Sequence, residues 1–126
     1  MQTAADLVAG ARGQVENLPP VAVAAELAAG GVVLVDVREP AERDDQGVIA
    51  GAVHVPRGML EFRADPSSPA HLSDLLPERR VIVHCASGGR SALAAATLAA
   101  MGYRDVAHLD GGLAAWREAG LPVDGS

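Results

Sequence analysis

The stretch that most constrains the fold is Val81 to Met101, VIVHCASGGRSALAAATLAAM. An apolar, β-branched run leads into His84 and Cys85, the single cysteine of the chain. A loop of small residues, Ala86-Ser87-Gly88-Gly89, then reaches Arg90 and Ser91, and alanine and leucine recur at helical spacing from Ala92 to Leu98. Strand, tight loop, helix is the simplest reading, and it leaves Cys85 at the foot of a helix. The two glycines let the backbone curl so that successive N–H groups point toward the sulfur. The helix N-terminus adds its uncapped N–H groups and a partial positive charge. Both effects favour an anion, and thiols in such surroundings titrate at roughly 3.5–7.5 instead of about 8.5. The competing reading is a buried cysteine that serves as a small hydrophobe. Packing alone requires neither a glycine-rich turn nor an arginine just after it, whereas a bound anion does. Cys85 is read as a nucleophile, with Ala86, Ser87, Gly88, Gly89, Arg90 and Ser91 as a backbone anion cradle.

The flanking segments repeat the alternation of strand and helix. Pro19-Pro20 opens a helix through Val23 and Leu27 that stops at Gly30-Gly31. Val32 to Val35 is a continuous apolar run, as expected of a strand covered on both faces. Asp36 ends it at the sheet edge where open α/β folds carry their ligands. Pro40 starts a short charged helix, and Ala52 to Val55 reads as a strand ended by Pro56. Arg57 to Phe62 is one or two helical turns, and Asp65 to Pro69 is a loop. His71 to Leu76 is expected to form a further helical turn. Val106 to Leu109 is the last strand, and Leu113 to Ala119 the last helix. Such alternation implies a parallel sheet flanked by helices.

Four segments resemble the rhodanese-like sulfurtransferase family. His84-Cys85-Ala86-Ser87-Gly88-Gly89-Arg90-Ser91 is similar to its active-site loop, and Asp36-Val37-Arg38-Glu39 to its Asp-Val-Arg-Glu motif. Gly51-Ala52-Val53-His54-Val55-Pro56 resembles its Gly-Ala-x-x-x-Pro segment, and Leu109 to Trp116 its Gly-Gly-x-x-x-Trp signature. Where that family has Gly-His-Ile, this chain has Gly47-Val48-Ile49. The resemblance spans Val21 to Val123 and implies an α/β domain with a five-stranded, mainly parallel sheet and helices on both faces. Residues 19–126 are read as that domain and residues 1–18 as an N-terminal helical extension, with Leu7, Val8, Ala11 and Val15 on its apolar side.

The resemblance also implies chemistry. A Cys85 thiolate would take the outer sulfur of thiosulfate or of a persulfide, hold it as a persulfide and pass it to a thiophilic acceptor. Arg90 would tie the loop to carboxylates, with Asp36 and Glu42 as partners, or else contact the anion directly. Arg57, just past a strand end, is a candidate anion contact or a solvated surface residue. Both attacking groups are anions, so no general base is needed and no Ser/His/Asp arrangement is expected. Two rivals remain: a persulfide carrier or sensor that binds a partner protein, and a Cys-Arg phosphatase or arsenate reductase. The second places five residues between Cys and Arg, whereas four separate Cys85 from Arg90.

Composition narrows the remaining classes. All ten basic side chains are arginine and the formal net charge is −6, which argues against nucleic acid as a partner. One cysteine permits no internal disulfide and fits a reducing, cytoplasmic setting. The N-terminal stretch, interrupted by Asp6, does not read as a signal peptide, and no run is long enough to span a bilayer. The four histidines lack metal-ligand spacing, so neither metal nor cofactor is expected. His84 should point to the sheet face opposite Cys85 as a satisfied core residue. His54 and His108 read as strand residues without a chemical role. The Gly-Lys-Ser/Thr ending of a nucleotide phosphate loop is missing. The expected state is a monomer or weak dimer that meets a small-molecule sulfur donor and a thiol acceptor.

Overall fold

In the computed structural model, which describes residues 1–125, the two apolar runs lie side by side at the centre of a five-stranded sheet. In chain order the elements are α1 (Ala4–Arg12), β1 (Glu16–Leu18), α2 (Pro20–Ala29), β2 (Val32–Asp36), α3 (Pro40–Gln46) and β3 (Val53–His54). They continue with a 3-10 turn (Arg57–Met59), α4 (Leu60–Ala64), β4 (Arg80–His84), α5 (Gly89–Ala100), β5 (Asp105–Leu109) and α6 (Gly112–Glu118). The strand order is β1-β5-β4-β2-β3, and all four pairings are parallel. This is the α/β architecture expected from the sequence.

Strand periodicity explains the two-layered core. Val33 and Val35 of β2 and Val81 and Val83 of β4 face one side, where they pack with Leu60, Leu75, Ala94, Ala95 and Leu98. Cys85 continues that row. Leu34 and Ile82 face the other side and pack with Val23, Ala107, Leu113 and Trp116. Burial on both faces is why these strands carry no polar alternation. Three alanines of α5, Ala92, Ala94 and Ala95, are fully buried, and so short a side chain brings the helix close to the sheet.

Two local expectations need correction. The N-terminal extension is not helical throughout: α1 ends at Arg12, and Glu16–Leu18 supplies the fifth strand, paired with β5. Val15 lies outside the helix and packs on the core. Thr3 caps α1 with a reciprocal Thr3–Asp6 capping box. His71 to Leu76 forms turns instead of a helical turn. Pro69 and Pro77 bracket a segment too short to propagate a helix, and it is held by burial of Leu75 and the Leu72 N–H to Arg63 carbonyl bond of 2.9 Å. Val48, which replaces the family histidine, forms a backbone bridge with Asp124, 2.8 Å in both directions.

Candidate active site

Cys85 lies one residue past β4, at the carboxyl edge of the sheet, and is 1% exposed. Its Sγ accepts N–H groups from Gly88 at 3.1 Å and Ser91 at 3.3 Å. Gly88 turns the chain into α5 with φ of +107°, in the left-handed region. A Cβ there would stand 3.1 Å from the Gly111 nitrogen. Ala86, Ser87, Gly89 and Arg90 belong to the same loop, but their N–H groups do not reach Sγ and have no acceptor among the described residues. The loop is fastened from behind by α6, whose Leu113 and Ala114 N–H groups bond the Cys85 and Ala86 carbonyls at 2.9 and 3.0 Å. That approach is open because residue 112 is glycine (φ +62°). A Cβ there would sit 2.6 Å from the Ala86 carbonyl carbon.

Arg90 and Arg57 each take a carboxylate partner, and of the two expected for Arg90 only Glu42 is used. Arg90 donates both terminal nitrogens to Glu42 of α3, at 2.7 and 2.8 Å. This bond holds the Glu42 carboxyl down to about 2, and the Glu42 carboxylate raises the Arg90 guanidinium in turn. Arg90 does not bond Asp36. That carboxylate is fully buried and occupied by Arg38 (3.0 and 2.8 Å) and by Arg43 of α3 (3.1 Å). Asp36 therefore supports the loop indirectly, by fixing the helix that presents Glu42. Burial pushes the Asp36 carboxyl up, but its side-chain and backbone bonds with Arg38 and the charge of that guanidinium hold it below its ordinary value. Arg57 turns away from the cradle, to Glu61 at 3.0 Å and Thr97 Oγ1 at 3.3 Å. Thr97 lies six residues beyond Ser91 on α5, about 9 Å along the axis.

The histidines are also redistributed. His84 does point away from Cys85, toward Asp36. It is not a satisfied core residue, however: Nδ1 faces the Cys85 carbonyl at 3.2 Å, while buried Nε2 has no hydrogen-bond partner among the described residues and stands 3.7 Å from Asp36 Oδ2. Burial pushes the His84 imidazole down, against the pull of Asp36. His108, which in sequence reads as a strand residue without a chemical role, reaches the site. Its Nδ1 stands 2.9 Å from Ser91 Oγ, and that hydroxyl lies 3.5 Å from Cys85 Sγ. Its Nε2 is 2.7 Å from Asn17 Oδ1 in β1. The available signal was parity: Ala107 and Leu109 face the α6 side, which puts His108 on the Cys85 side. Among the described residues no group of histidine, cysteine and carboxylates could hold a metal ion, and no helix is long and apolar enough to cross a membrane.

Comparison with known proteins follows the same outline. A family model described as Rhodanese-like domain matches residues 20–119. A sulfurtransferase of Allochromatium vinosum is 39% identical over 92 residues, 73% of this chain and 78% of its own. A chloroplastic thiosulfate sulfurtransferase of Arabidopsis thaliana is 37% identical over 107 residues, covering 82% and 88%. Among solved structures, a Rhodopseudomonas palustris protein of unknown function, suggested to be a tyrosine phosphatase, superposes with a TM-score of 0.92 at 39% identity. That match covers 98% of this chain and 96% of the other.

Proposed function

The chain belongs to the rhodanese-like domain family, and from that premise we propose that it is a sulfurtransferase that carries sulfane sulfur as a persulfide on Cys85. The observation that carries the reading is the pair of N–H bonds from Gly88 and Ser91 to a sulfur otherwise shut from solvent. Sγ attacks the outer sulfur of the donor, the sulfur–sulfur bond breaks, and its electron pair leaves with sulfite or with the donor thiolate. The unpaired N–H groups of Ala86, Ser87, Gly89 and Arg90 are donors for the outer sulfur of the persulfide and for charge developing on the donor. An acceptor thiolate or cyanide then removes that sulfur and restores Cys85.

The phosphatase alternative is disfavoured by the arginine. Phosphoryl transfer through a cysteine requires a guanidinium on the phosphoryl oxygens, and Arg90, closer by one residue than that chemistry places it, is held by Glu42. Intact-mass analysis after incubation with thiosulfate, and separately with a small persulfide, tests the proposal. The wild-type chain gains one sulfur atom and loses it to cyanide, and Cys85→Ser gains none while remaining folded. Sulfur loading or thiosulfate:cyanide turnover above background in Cys85→Ser would end the persulfide mechanism. Stoichiometric loading without turnover would favour a carrier that delivers to a protein.

A further inference from the structure

A line of three polar side chains runs from the sheet edge to the nucleophile and ends on its sulfur. The parallel register pairs Asn17 with His108 and His108 with Val83, two residues before Cys85 on the same face. Asn17 Nδ2 donates to the carbonyls of Arg12 at 2.9 Å and Val15 at 3.1 Å. Those two bonds fix the amide, so its Oδ1 faces His108 Nε2 at 2.7 Å and must accept from it. The hydrogen of His108 is thereby placed on Nε2, and Nδ1 presents a lone pair to the Ser91 hydroxyl at 2.9 Å, a shorter path for that proton than the Gly88 carbonyl at 3.3 Å. Ser91 Oγ in turn accepts from the Cys85 thiol at 3.5 Å. His108 and Ser91 are both fully buried. The first member, Asn17, precedes the residues that the family model matches.

We propose that Ser91 and His108 form a proton relay for Cys85, with Asn17 holding the imidazole in the accepting tautomer. The proposal deepens the sulfurtransferase reading and rests on it for the reaction served. The thiol proton passes to Ser91 Oγ while the Ser91 hydroxyl proton passes to His108 Nδ1, and the sulfur keeps the S–H electron pair. The product is a thiolate beside an imidazolium, with Ser91 unchanged and donating to the sulfur. When the acceptor later displaces Cys85 from the persulfide, the proton can return by the same route. No oxidant or further reactant is required. Ser91 touches the reacting atom and is a catalytic residue; His108 and Asn17 act through it and are positioning residues. The charged groups around the line are Asp110, Arg12 and Arg90, with Arg12 paired to Asp110 and Arg90 to Glu42. Burial holds the resting imidazole below its ordinary value, against the pull of Asp110, so it stays unprotonated and free to accept.

The test follows the proton separately from the sulfur. Iodoacetamide labelling of Cys85 is measured against pH in wild type, Ser91→Ala and His108→Asn. The relay predicts midpoints about one unit higher in both variants, a roughly tenfold slower reaction at neutral pH, with similar plateaus at high pH. A purely structural role would slow labelling equally at every pH, and unmoved midpoints in both folded variants overturn the relay. If either variant fails to fold, the unmodified protein decides through the NMR shifts of the His108 ring nitrogens. The relay requires hydrogen on Nε2 and a His108 titration that moves to lower pH once Cys85 is alkylated. Hydrogen on Nδ1, or a titration indifferent to alkylation, overturns it. Sulfur loading is scored separately: coupled titrations without loading would keep the relay and remove the sulfurtransferase reading, and loading with uncoupled titrations would do the reverse.

Discussion

Main-chain N–H groups do most of the work at Cys85 Sγ, and the residue scale shows what that leaves out. The residue after the cysteine is Ala86, Arg90 is bound to Glu42, and Arg57 is bound to Glu61 and Thr97. Among the described residues no cationic side chain bonds the sulfur or its loop from the donor side, and the acidic chain opposes a dianion at long range. A charge-assisted hydrogen bond is worth about 1.5–3 kcal/mol, roughly ten to a hundredfold in affinity. The expected KM for thiosulfate is therefore above about 1 mM, beyond the usual span for enzymes, and Ala86→Arg should lower it by roughly tenfold or more. A wild-type value in the micromolar range, or no gain from the arginine, would restore thiosulfate as a natural donor over a persulfide. Gly112 offers a stability test at the same scale. Its replacement by alanine drives a Cβ to 2.6 Å from the Ala86 carbonyl and forces φ of +62° on an L side chain. Thermal or urea unfolding should register more than about 3 kcal/mol lost, or no fold at all. Gly30→Ala, with φ of +81° and ψ of 179° but no described atom within 4 Å of the added Cβ, is the control for backbone strain alone and should lose about 1–3 kcal/mol.

At the scale of elements, α3 and α5 are clasped by Glu42–Arg90, and α3 is held to β2 by Asp36–Arg43. The Glu42 carboxyl is lowered from 4.5 to about 2 in the folded chain, so its contribution is complete above about 4.5 and fades as pH falls toward 2. With the Glu42 side chain 26% exposed and Arg90 39% exposed, the clasp is worth on the order of 1–2 kcal/mol after solvent screening. Glu42→Gln should cost about that much at neutral pH and progressively less in acid, and amide exchange near Gly89 and Arg90 should quicken. A stability difference from wild type that persists unchanged at pH 2 would show that the charge plays no part. This clasp was half legible in sequence. The Cys85-to-Ser91 loop and the strand-loop-helix follow from local pattern, and the anchoring role of Arg90 from the family resemblance. The choice of Glu42 over Asp36 does not, because it depends on Arg38 and Arg43 already filling the buried carboxylate. β1 escaped for a related reason: three residues carry no periodicity, and Glu16 and Asn17 are polar, so the strand exists by pairing with β5. His108 reads as inert in sequence because its neighbours in space, Asn17 and Ser91, lie 91 and 17 residues away in the chain.

Across the whole molecule, each face of the sheet buries one histidine. His108 lies on the α5 side among the valines of the first core, and His84 lies on the opposite side against Asp36. Burial lowers both imidazoles from their ordinary 6.5 and so favours their neutral form in the resting folded chain. Unfolding releases them to water, where they take up protons as pH falls below 6.5. The unfolded state then binds more protons than the native state, so stability must rise with pH across this window. It is complete above about 6.5 and declines below it until each folded-state group begins to titrate. Each histidine can contribute a slope of up to about 1.4 kcal/mol per pH unit, so the pair approaches about 2.7. Carboxylates add their own loss only at lower pH, where the unfolded chain takes up protons on Glu42, Asp36 and Asp110 that the folded chain, holding all three below their ordinary values, does not yet bind. The two processes are separable by substitution. Urea unfolding between about pH 7 and pH 5 should show a falling midpoint in wild type, and His108→Asn should roughly halve the slope while leaving the carboxylate region below pH 4.5 in place. A wild-type midpoint that is flat or rises on acidification through this window would mean that both imidazoles are charged in the native core, with Asp36 and Asp110 outweighing burial.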